Sequence, residues 1–184
     1  MKHAALALAF ALAMPTLAGE LEGVKMPDTL EVAGKQLKLN GMGLRKKFFF
    51  NVYVAGLYVE SPSKDPAALV QADGIKRVKM SMLRDLSRDQ IAEAIREGFD
   101  KNNKAQLPQL KARLENFIAQ MPTAVKKGDV LELTYLPGKG TEVTAKSGEA
   151  THIEGKDFAD ALFSVWLGKF PVDEDLKRGM LGTR

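Results

Sequence analysis

Apolar and polar positions along this chain fall into short alternating runs separated by longer stretches of helical period. Leu30 to Leu39 alternates around Ala33-Gly34-Lys35, which predicts a hairpin on the edge of a sheet. Gly41-Met42-Gly43 then reads as a bend. Phe48 to Val59 is rich in aromatic and β-branched residues and apolar at most positions, the signature of a central strand covered on both faces. Ile75 to Leu83 alternates again, and Asp129 to Leu136, Thr141 to Ala145 and Ala150 to Ile153 add three more strands. Turn signals at Pro137-Gly138 and Ser147-Gly148 separate the last three.

The helical stretches carry their own start and stop signals. Asp65 to Ala72 opens with an N-cap aspartate followed by proline at the first helical position. Ser87 caps a run in which Ile91, Ala94, Ile95, Gly98 and Phe99 recur on one face. Leu107 to Met121 turns Leu110, Leu114, Phe117 and Ile118 inward. Two helices close the chain, one stopped by Gly168 and one opened by Asp173 after Pro171. Trp166, Phe163 and Phe170 are expected to pack the first of these onto the sheet, with Met80 and Met82 filling the core or lining a pliable pocket. The chain contains no internal repeat, low-complexity run or linker. Together these elements predict one α+β domain, a large antiparallel sheet with helices packed on one face.

Composition narrows the function. Residues 1–18 read as an export signal: Lys2 supplies the positive start, an apolar run too short to span a bilayer follows, and Thr16-Leu17-Ala18 forms a small-residue cleavage site. The expectation is a signal peptide over 1–18 and a domain over 19–184, exported to the periplasm, without a transmembrane segment. The absence of cysteine excludes thiolate catalysis, cysteine-based zinc sites and iron-sulfur ligation. His3 and His152 are the only histidines, too few for a multi-histidine metal site, so neither metal nor cofactor is expected. A net charge of +4 spread over scattered Lys and Arg is not the footprint of a nucleic-acid partner.

Several stretches together carry a resemblance. "NGMGLR" leading into "VYVAGLYVE", then "RDLSRDQIAEAIREGF", "YLPGKGT" and "FADALFSVWLGKFPVDEDLKRGMLG" are similar to the exported bacterial branch of the chalcone isomerase superfamily. The resemblance implies an open-faced β-sandwich with a ligand cleft between sheet and helices. In such a fold plant members either cyclise chalcones or bind fatty acids without catalysis. It also implies site residues: Arg45 matches the family arginine, Tyr53 stands at a threonine position, and Ile91 and Gly98 replace a tyrosine and an asparagine. Val165, or Ser164 beside it, falls at the specificity position. Loss of that hydroxyl network disfavours ring closure, since each well-placed donor typically supplies on the order of a hundredfold or more in rate.

The resemblance instead implies a carboxylate clamp. The planar fork of Arg45 is suited to both oxygens of a carboxylate, Tyr53 can donate a further bond, and Asn51 shares the face of Tyr53 by the two-residue strand period. The small partner would be an amphipathic fatty acid or phenolic ligand. Eight residues separate Arg45 from Tyr53, about 26 Å along a straight strand. The two meet only if the chain folds back near Lys46-Lys47. The plainer alternative pairs Arg45 with an acid such as Glu60 or Asp85. Three functions stand open on the sequence: a non-catalytic carboxylate binder, an isomerase of the intramolecular lyase type using Arg45 and Tyr53 on an enone or phenolic substrate, and an envelope interaction module.

Overall fold

The computed structural model describes residues 17–145 and 150–183. The leader up to residue 16 and the Ser147-Gly148 turn signal lie outside the described residues. Seven strands form one antiparallel sheet: β3 (Thr29–Val32), β4 (Lys35–Lys47), β5 (Phe50–Val59), β6 (Lys76–Met82), β9 (Val130–Leu136), β10 (Gly140–Thr144) and β11 (Ala150–Ile153). Their order across the sheet is β11-β10-β9-β6-β5-β4-β3. Hairpins make all but two of the connections. α1 (Pro66–Gln71) joins β5 to β6, and the long excursion from β6 to β9 carries α2 (Arg88–Asn103), α3 (Leu107–Ala119) and the small β7 (Leu86–Ser87) and β8 (Ala124–Val125) pair. α4 (Lys156–Leu167) and α5 (Glu174–Met180) follow β11.

Local chemistry sets these ends. The Asp65 carboxylate accepts from the Ala67 and Ala68 backbone amides to cap α1, and Ser87 with Gln90 forms a full capping box on α2. Ala33 and Gly34, at φ of 50° and 77°, make the tight β3–β4 turn.

Strand β5 is internal, as its apolar run predicts, and its two faces bury different layers. Ala55, Leu57 and Val59 join the larger core beneath the helices, with Val78, Leu133, Phe99, Phe117 and Phe158. Val54 and Tyr58 point the other way, into a smaller core closed by the hairpin of β1 (Leu17–Leu21) and β2 (Val24–Pro27). Met26 is fully buried there and the Tyr58 hydroxyl donates to the Pro27 carbonyl at 2.9 Å. All five helices among the described residues contribute buried residues to the larger core, so this helical layer lies on one face.

Two expectations need correction. Gly41-Met42-Gly43 is no bend but part of the continuous strand β4, with a bulge between Leu39 and Gly41. The glycines serve packing instead: a Cβ on Gly43 would stand 2.9 Å from the Leu176 Cα, and one on Gly41 2.8 Å from the Gly182 nitrogen, so α5 lies directly on the strand backbone. Phe163 and Trp166 are buried as expected, whereas Phe170 is half exposed on the loop after α4.

Candidate functional site

A cavity of about 290 Å³ opens between the sheet and the helices at the β4–β5 turn end. Met80, Met82, Leu131 and Leu133 supply its sheet wall. Ile91, Ala94 and Ile95 of α2 face them, and Val165 and Trp166 of α4 close one side. Polar groups gather at the mouth, where Arg45, Lys47, Arg84, Glu93 and Glu97 stand among Phe48 and Phe50. The interior is apolar and the rim is charged, the division an amphipathic ligand requires.

The β4–β5 hairpin brings Arg45 opposite Tyr53. The chain reverses through Phe48 and Phe49, and the register pairs Arg45 with Tyr53 across the two strands, with a bulge between Arg45 and Lys46. Directly opposed residues have Cβ atoms about 5 Å apart, so the 26 Å of a straight strand does not apply. The sequence condition, a fold-back next to Lys46-Lys47, is met.

Neither Glu60 nor Asp85 is the acid that meets Arg45. Glu60 accepts from Lys35 at 2.9 Å and from the Ile75 amide at 2.7 Å. Asp85 accepts from Lys126 and from the Lys127 amide. Arg45 pairs with Asp173, Nη1 to Oδ2 at 3.5 Å, and Nη1 also donates to the Lys46 carbonyl. Asp173 is used from both sides: Oδ1 accepts from the Leu176 amide at 3.0 Å to cap α5, while Oδ2 accepts from the Lys46 amide at 3.1 Å. Among the described residues every protein bond of the guanidinium passes through Nη1, which leaves its Nε–Nη2 edge for a ligand. The sequence marked Asp173 only as a helix cap, and no local signal in it points across the chain to Arg45.

Tyr53 is positioned by an indole. Trp166 Nε1 donates to the Tyr53 hydroxyl at 3.0 Å. Because an indole can only donate, the phenol oxygen is the acceptor and its own proton stays available to another group. Burial pushes the Tyr53 pKa up to about 12; the Trp166 bond and the Arg45 charge oppose that rise, and the Asp173 charge adds to it. The hydroxyl is therefore protonated, a donor, at neutral pH.

The other sequence candidates divide. Ile91 and Val165 are on the cavity wall. Gly98 lies behind it, where an added Cβ would stand 2.8 Å from a Val165 methyl; the glycine lets α2 and α4 approach closely. Asn51 sits outside the wall and donates to Glu22 at 2.9 Å. Ser164 donates to the Ala161 carbonyl and accepts from Asn103, so its hydroxyl is satisfied within the helical layer. Phe48, Phe50 and Arg84 at the mouth were not singled out from sequence; three consecutive phenylalanines beside a lysine pair were the available signal. Among the described residues no group of three or more His, Asp or Glu side chains could hold a metal ion.

A family model described as chalcone isomerase-like matches residues 18–182. No curated protein matches the chain. Among solved structures, the crystal structure of a fatty-acid binding protein from Arabidopsis thaliana is similar in fold, with a TM-score of 0.65, over 86% of this chain and 92% of that one at 16% identity.

Proposed function

The chain belongs to the chalcone isomerase-like family, and on that premise we propose that it binds a fatty acid or similar amphipathic carboxylate in the cavity between sheet and helices, without catalysis. The observation that carries the reading is the meeting of one guanidinium and one protonated phenol at the charged mouth of an apolar cavity. Arg45 offers the carboxylate its Nε–Nη2 edge, a charge-assisted pair of bonds, and Tyr53 donates a third. The hydrocarbon tail lies on Met80, Met82, Leu131 and Leu133. A volume of about 290 Å³ stands just below the usual ligand-pocket range, about 300–1,000 Å³, and the methionines of the wall can give way to a longer chain. The structural neighbour from Arabidopsis thaliana, itself a fatty-acid binding protein, supports the same class of ligand.

Turnover is the weaker reading on chemical grounds. A general acid works best with a pKa near the working pH, and Tyr53 at about 12 is held far above it. Ile91 and Val165 offer no donor to orient water or a reacting oxygen. The reading includes export of residues 19–184 to the periplasm, supported by the leader composition of residues 1–18.

Titration with a fluorescent long-chain fatty acid tests the proposal, with Arg45→Ala alongside and its fold checked by circular dichroism. Micromolar binding that weakens tenfold or more in the variant, about 1.4 kcal/mol, is the expected result. Equal affinity in a folded variant would remove the clamp, and no binding by either protein would remove the lipid reading.

A further inference from the structure

The turn that brings Arg45 to Tyr53 breaks two local rules in one place. Phe48 has φ of 55°, a region where a bulky side chain is an outlier and where Gly, Asn or Asp is favoured. Phe48, Phe49 and Phe50 are 86%, 98% and 57% exposed, three consecutive large apolar groups in water. The β3–β4 turn shows the ordinary solution, with small Ala33 and Gly34 at positive φ. Phe49 is not on the cavity wall, so ligand contact does not account for it. Local choices that oppose both backbone preference and hydration gather at functional sites.

Cations flank the tip, with Glu93 and Glu97 of α2 the acids beside them at the mouth. Lys46 and Lys47 lie on the strand beneath it, and the Arg84 guanidinium carbon stands 4.6 Å from the Phe50 ring centre. Lys47 approaches Glu93 at 4.0 Å, but both side chains are more than half exposed, and a pair of that kind holds weakly in salt. Aromatic side chains at the point and basic ones behind them match the two layers of a membrane surface, acyl boundary and anionic headgroup.

We propose that the β4–β5 tip docks on an anionic lipid bilayer, with Phe48 and Phe49 entering the interface and Lys46, Lys47 and Arg84 facing the headgroups. The inference deepens the ligand reading and rests on it for its purpose. Phe48 and Phe50 line the cavity mouth, so docking opens the mouth at the membrane plane and an acyl chain passes inward without crossing water.

The chain has no cysteine, so a single introduced one can be labelled uniquely. An environment-sensitive fluorophore is placed on Phe49→Cys and, as a control, on Lys139→Cys. The β9–β10 turn holding Lys139 is at the other end of the sheet, since Tyr135 pairs with Lys76 whereas Tyr53 pairs with Met82. Both full-length proteins are titrated with phosphatidylcholine vesicles, with and without about one-third phosphatidylglycerol, enough to give a negative surface potential. The expected result is a blue-shifted, several-fold brighter label at position 49 with anionic vesicles only. Lys46→Gln in the same protein should weaken that response about fivefold, the effect of one cation near such a surface. No response at 49, an equal response at 139, or indifference to lipid charge would overturn the proposal. So would a response at 49 that grows with protein concentration without lipid, which would show the tip covered by a second copy. Fatty-acid titration without vesicles separates the two readings. Binding there with no response at 49 overturns docking alone, whereas a lipid response at 49 without fatty-acid binding supports docking and removes the ligand reading.

Discussion

Asp173→Asn should raise the affinity for a fatty acid. Asp173 already occupies one side of Arg45, 3.5 Å from Nη1, so a ligand carboxylate on the free edge shares the guanidinium with a second anion. Two carboxylates on opposite sides of one guanidinium stand roughly 7–8 Å apart; at an effective dielectric of about 20 their repulsion is about 2 kcal/mol, and in bulk water about 0.6 kcal/mol. Asp173 is mostly buried, its side chain 14% exposed, which places the expected gain between these limits, on the order of tenfold in affinity. Asparagine is as good an N-cap as aspartate and its one carbonyl oxygen can still accept from the Leu176 amide, but its amide nitrogen cannot accept from Lys46, so the fold should lose about 1–2 kcal/mol, from that bond and from the weaker interaction with the α5 dipole. Isothermal or fluorescence titration with a long-chain acid reads the effect directly. The alcohol of the same chain length is the control, and its affinity should not change. If the variant binds the acid less well, or no better than the parent, then Arg45–Asp173 serves only the fold and the carboxylate is held elsewhere.

Two further outcomes follow from packing and burial. Gly43→Ala puts a methyl against the Leu176 backbone and should lift α5 from β4, costing about 3 kcal/mol in urea unfolding; a loss below about 0.5 kcal/mol would show that α5 slides freely. Burial raises the pKa of all three tyrosines, Tyr53, Tyr58 and Tyr135, so each phenol should stay protonated in the folded chain when an unfolded one ionises near pH 10. Their stabilising contribution is present below about pH 10 and is lost as the pH rises through the folded values, at up to about 1.4 kcal/mol per pH unit per tyrosine. Phenolate absorbance should therefore rise together with loss of the circular dichroism signal; an earlier rise, in a still folded chain, would contradict the burial argument.

Legibility followed the range of the interaction. The Ser87 cap of α2, the α1 start at Asp65-Pro66 and the alternation of β6 are set by residues within a few positions of one another, and these elements appear where the pattern predicts them. Gly41 and Gly43 were misread because an isolated pair of glycines has the same local meaning in a turn as beneath a helix. Phe170 was misread because helical spacing does not say where the helix ends relative to the layer it packs on.

The candidate site divides along the same line. Arg45 and Tyr53 were legible as chemistry, a planar cation and a phenol beside apolar strands, and Ile91 and Val165 as wall positions through resemblance. Their convergence was not, since the eight-residue interval permits either a straight strand or a turn at Phe48-Phe49, and Phe48 at φ 55° gives no sequence signal for the turn. Asp173 and Trp166 reach Arg45 and Tyr53 from the last helices of the chain, contacts created only when the helical layer closes on the sheet. By itself the sequence determined the α+β layering, the family and the kinds of group available. Only the tertiary structure decided which of those groups meet, because hydrophobic periodicity specifies the face a residue occupies, whereas strand register and layer packing specify its neighbours.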